Sequence, residues 1–140
     1  MKLRIKKILH IAAFSVLTSM LGMVTTGFAT ELETITSSAQ SVTVKVTPKN
    51  IASSAKIWDF AIVLETHSAN LGDDLMKAAV LLDGTGGRMV PINWIGAPPD
   101  GHHRSGTLQF KAVSPMPAVL ELQISREGEA KPRSFRWPMK

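Results

Sequence analysis

Trp58-Asp-Phe-Ala-Ile-Val-Leu-Glu65 decides the fold: Trp58, Phe60, Ile62 and Leu64 fall on one side of an extended chain, with Asp59 and Glu65 among the residues on the other. A period of two is the mark of a β-strand with one buried face. The same period recurs on both sides of this stretch. Upstream, Val42, Val44 and Val46 alternate with Thr43 and Lys45. Downstream, Ala78 to Leu82 is a short apolar run, and Val90, Ile92 and Trp94 then alternate. Leu108 and Phe110, then Leu120, Leu122 and Ile124, and finally Phe135 and Trp137 complete the series.

Turn chemistry separates these runs. Pro48 to Lys56 is rich in Ser, Asn and Pro, Asn70 to Asp74 suits a helical turn, and Asp83 to Gly87 supplies glycines that accept positive φ. Pro91 lacks an N–H and so places its strand at a sheet edge. Seven short strands with a turn every 8 to 12 residues predict an all-β chain with the architecture of a seven-stranded immunoglobulin-like sandwich, or a cupredoxin-like one. Residues 41–140 form that domain, and residues 30–40 read as a polar, flexible lead.

The first 29 residues have a different character. Lys2, Arg4, Lys6 and Lys7 precede a stretch from Ile8 to Ala29 with no charged side chain, which ends in Gly27-Phe28-Ala29. A basic start, an apolar run and small residues at a cleavage site predict a secretory signal peptide cut after Ala29. The rival reading, a retained anchor, is weakened by Thr18, Ser19, Thr25 and Thr26, which dilute the apolar run. The mature chain is then periplasmic or secreted, with no stable membrane insertion.

Loss of the signal removes four of the sixteen Lys and Arg and none of the eleven Asp and Glu, so twelve cations face eleven anions and the net charge is about +1. The basic stripe that nucleic-acid binding requires is therefore absent. With no cysteine, stability comes from packing rather than disulfides.

Three histidines remain after the signal: His67, His102 and His103. His67 ends the second predicted strand and the pair opens the fifth. In the constant-type sandwich those strands are antiparallel neighbours, so all three gather at one pole. Pairing Phe60 with Phe110 sets Leu64 opposite Gly106 and His67 opposite His103 on the outward face. Imidazoles about 5 Å apart can share a copper or zinc ion. His102 has inward parity and suits a hydrogen-bonded structural role unless the loop breaks regular extension. Glu65, Asp73, Asp74, Asp100, Glu127 and Glu129 are further candidate ligands by topology, and the absence of cysteine excludes a blue-copper centre.

Other patterns carry less. Asn70, Asp73 and Asp74 lack the spacing of a calcium loop, Gly84 to Gly87 lacks the lysine of a phosphate loop, and Ser68 beside His67 lacks the third group of a triad. The chain reads as non-enzymatic, and contact with an envelope protein through a sheet edge is the alternative to metal binding.

The run Glu65-Thr66-His67-Ser68, with Trp94, Gly101-His102-His103, Gly106 and Leu108-Gln109-Phe110, resembles a family of small secreted prokaryotic β-sandwich proteins that carry Thr-His-Ser and Gly-His-His motifs. That family is functionally uncharacterised. The resemblance implies that the three histidines act together and implies no activity.

Overall fold

A computed structural model describes residues 31–139. The expected signal peptide, residues 1–29, lies outside the described residues. Nine strands and one helical turn follow in the order β1 (Ile35–Ala39), β2 (Val42–Pro48), β3 (Ile57–Thr66), α1 (Leu75–Ala78), β4 (Ala79–Leu82), β5 (Arg88–Met89), β6 (Asn93–Gly96), β7 (His103–Lys111), β8 (Val119–Ile124) and β9 (Arg133–Pro138). They form two antiparallel sheets, β1-β2-β3-β7-β6 and β5-β4-β8-β9. No helix among the described residues is long and apolar enough to cross a membrane.

The period of two explains the layers. β2 and β3 bury every second residue, and so does the central part of β8 and β9. The buried faces meet in one core, where Phe60 lies edge-on to Phe110 of its own sheet at 5.6 Å and tilted against Trp137 of the other at 6.0 Å. Each such side chain, fully removed from water, contributes roughly 1.5–3 kcal/mol. Every indole also satisfies its N–H on a loop carbonyl: Trp58 on Ala52, Trp94 on Ala97 and Trp137 on Glu33.

Three expectations are corrected. The polar lead of residues 30–40 contains a strand, because Ile35–Ala39 pairs with Val46–Val42 and its Ser and Thr side chains suit an edge with no buried face. The predicted strand through Val90, Ile92 and Trp94 is two strands: the chain leaves one sheet after Met89 and joins the other at Asn93. Pro91 sits in this crossing, and Val90 and Ile92 are 68% and 42% exposed rather than inward. The helical turn begins at Leu75, after Asn70 to Asp74, because Asp74 caps it by accepting a hydrogen bond from the Met76 N–H.

Where β6 meets β7, two glycines face each other at Gly96 and Gly106. Their missing side chains leave room on the inner face for the Trp94 ring. A Cβ on Gly106 would lie 2.7 Å from the Gly96 Cα, the Ile95 carbonyl and the Trp94 ring. The substitution Gly106→Ala should therefore destabilise the domain by about 1–3 kcal/mol, read as a lower urea midpoint at unchanged slope.

Candidate functional site

The end of the sandwich that carries the histidines is assembled by hydrogen bonds from Thr66 and Arg104. Thr66 closes β3, donates its hydroxyl to the Ser41 carbonyl at 2.8 Å and accepts the Ser68 and Ala69 N–H groups, turning the chain out of the sheet. Its own N–H donates to the His102 carbonyl at 2.9 Å. The Thr-His-Ser and Gly-His-His runs are thus joined through the threonine and a backbone carbonyl, not through imidazoles.

β3 and β7 are antiparallel neighbours, as expected, but the register differs by two residues. Trp58 faces Phe110, Phe60 faces Leu108 and Leu64 faces Arg104, so His103 stands opposite Glu65 rather than His67. His67 lies beyond the paired residues and is exposed. His102 is also exposed, because Asp100 and Gly101 adopt φ of 133° and 78° and the regular strand begins only at His103. The inward position that parity assigns near this end belongs to Arg104.

His103 Nδ1 lies 3.6 Å from Glu65 Oε1, while Lys45 Nζ holds Glu65 Oε2 at 2.8 Å. The hydrogen bond and charge of Lys45 set the Glu65 carboxyl below its ordinary range, with smaller help from His103 and His67. Among the described residues, no group of three or more His, Asp and Glu side chains is placed to hold a metal ion. Several candidate acids have other duties: Asp74 caps α1, Asp100 accepts its neighbour's N–H, and Asp73 and Glu129 sit in ion pairs.

Arg104 is 2% exposed. Its Nε donates to the Ala97 carbonyl at 3.1 Å, its Nη1 donates to the carbonyls of Asp73 at 2.6 Å and Leu71 at 3.3 Å, and the guanidinium lies over the Trp94 ring, 5.3 Å from its centroid. Burial pushes its pKa down, opposed by the charges of Asp73 and Asp74. A planar cation with several fixed donors suits a site lined by carbonyls. One side chain therefore binds the loop after β3 to the loop before β7.

A second arginine does the same for the β1–β2 hairpin. Arg133 donates to the carbonyls of Ser37, Val42 and Ala39 and grips both oxygens of Glu129. Arg126 extends this pairing at 3.5 Å from Glu129 and 2.8 Å from Asp73, and donates to the Asn70 carbonyl. The four side chains are no more than 7% exposed. Asn70 and Asp73 are thereby part of a protein network rather than a calcium loop. Arg104 and Arg133 were the residues most easily missed in the sequence, and the signal was their inward parity with Leu108 and Phe135.

At the other end of the sandwich, a groove of about 450 Å³ runs between Asp83 and the 113–119 loop. The Asp83 Oδ1 there is taken up by the Thr85 N–H and hydroxyl and the Gly87 N–H. No protein-family model, curated protein or solved structure matches the chain.

The substitution Arg104→Met keeps the bulk but removes the donors, leaving the Asp73 carbonyl unpartnered; a loss of about 3 kcal/mol is expected in denaturant unfolding. The Glu129 carboxyl is held below its usual range, first by the Arg133 hydrogen bond. A depressed folded pKa stabilises above the unfolded value of about 4.3 and loses that contribution as pH falls through the folded pKa. Glu129→Gln should thus cost about 2 kcal/mol at pH 7, a deficit that narrows in melts below about pH 4.

Proposed function

We propose that this chain is an exported, non-enzymatic interaction module of immunoglobulin-like architecture that docks a protein strand at its β6 edge. One observation carries the reading. Of the four large apolar side chains exposed among the described residues, three, Val90, Ile92 and Ile95, lie on the crossing to β6 and on that strand. The order β2-β3-β7-β6 against β4-β8-β9 supports the architecture, since it matches the two sheets of a constant-type sandwich with β1 and β5 added. Export rests on the residues that read as a signal peptide, and the near-neutral mature charge favours protein over nucleic acid as partner.

Edge strands are normally guarded by short length, prolines, lysines, inward-pointing charges or a covering loop; β6 is short and flanked by Pro91 and Pro98-Pro99, but no charge guards it. From Val90 to Pro99 this chain has no charged side chain at all. Main-chain pairing at such an edge supplies affinity and the exposed side chains supply selectivity. A photoreactive phenylalanine analogue placed at Ile95 should crosslink to protein in the producing cell, whereas the same group at exposed Thr36 on the opposite edge should not. Absence of adducts at position 95 would remove the reading.

A second reading, a copper or zinc site, is favoured by the Glu65–His103 contact. At 3.6 Å, the two atoms are close to the ligand spacing of a tetrahedral ion with bonds of about 2 Å. His67 follows Glu65 by two residues, exposed beyond the end of β3, and among the described residues no third His, Asp or Glu is placed to join the pair. Titration of the protein with copper(II) or zinc should give an affinity that falls at least about tenfold in His103→Ala and Glu65→Gln and is unchanged in His102→Ala. Equal affinity in His103→Ala would end it.

A further inference from the structure

We propose that the strand docked at β6 is the β6 of a second copy of this chain, paired antiparallel about a two-fold axis through Ile95. The proposal rests on the docking reading above and names its partner.

Backbone geometry makes the edge self-complementary. β6 pairs with β7 as Asn93↔Gln109, Trp94↔Leu108, Ile95↔Thr107 and Gly96↔Gly106, and the Ala97 N–H donates to the Ser105 carbonyl. Antiparallel strands alternate the direction of their polar groups. Asn93, Ile95 and Ala97 therefore spend theirs on β7, and the N–H and C=O of Trp94 and Gly96 point to the free side. A two-fold at Ile95 sets Trp94 of one copy against Gly96 of the other, so each of these four residues finds both a donor and an acceptor.

Side chains and charge agree with that pairing. Ile95, 57% exposed, meets its own symmetry mate at the close distance of a pair without mutual hydrogen bonds. Ile92 is set towards the Pro98 end of the opposite strand. The uncharged stretch is bounded by Arg88 on one side and Asp100 on the other, both exposed. In that register no like charges meet along the paired strands, because the stretch from Val90 to Pro99 carries none. Joined this way, two five-stranded sheets become one continuous ten-stranded sheet.

Sedimentation equilibrium of the purified protein tests this directly. The wild type should reach twice its monomer mass in a concentration-dependent manner. Ile95→Lys and Ile95→Glu, both at an outward position with no part in the core, should each sediment as monomers with native melting curves. Mixing them should restore the dimer, because Lys and Glu then meet across the axis. A monomeric wild type up to hundreds of micromolar, a dimer that survives Ile95→Lys, or a mixture that stays monomeric would overturn the proposal. The crosslink at position 95 separates the two claims: an adduct of twice the chain mass supports self-pairing, an adduct of another mass keeps the docking reading and overturns this one, and no adduct overturns both.

Discussion

The guanidinium of Arg104 is held away from water by the carbonyls of Leu71, Asp73 and Ala97 and by the face of Trp94. Two loops take their path from it, the first helped by the buried Leu71. Trp94 can lie beneath the cation only because Gly96 and Gly106 leave the inner face bare, so a conformational feature of β6, a cation of β7 and the loop beyond β3 form one mechanical unit. A buried arginine without its partners would be costly. With them it replaces the crosslink that a chain without cysteine cannot make.

The two flanks of the sandwich are finished differently. On one, Arg133 clasps three carbonyls of the β1–β2 hairpin, and Trp137 reaches the Glu33 carbonyl, so β1 and β9 are drawn together across the sheets. On the other, the chain itself passes between the sheets at Pro91 and leaves β6 outermost, with apolar side chains in water. The first flank shields its backbone with a cation and an indole; on the second, α1 packs beside β6 but the outward side chains of the edge stay in water. This asymmetry is the physical basis for reading β6 as the working edge.

Much of the fold was legible because alternation needs no tertiary information: Val42 to Val46, Trp58 to Leu64 and Leu120 to Ile124 announce their buried faces locally. What stayed hidden depends on relations between strands. A two-residue slip preserves every parity, so matching Phe60 with Phe110 and matching it with Leu108 are equal to the eye, yet the slip moves Glu65 into the place of His67 opposite His103. β1 has no buried alternation to display, since an edge strand of Ser and Thr takes its order from hydrogen bonds to β2. Val90 and Ile92 imitate a buried strand while crossing between sheets, where one period of alternation spans two different environments. The motif histidines drew notice because imidazoles do chemistry; the neighbouring Thr66 and Arg104 hold the structure, and their roles emerge only once carbonyls from distant loops are in place.

The indole anchors have a spectroscopic corollary. Tyrosine is absent from the chain and tryptophan occurs three times, so ultraviolet emission comes from indoles alone. Trp58 reports the loop before β3, Trp94 the arginine-clasped end and Trp137 the segment that enters the domain at Glu33. Single-tryptophan versions of this molecule would divide its unfolding into three separately visible regions, and any order in which the ends of the sandwich loosen would be written in the sequence of their red shifts.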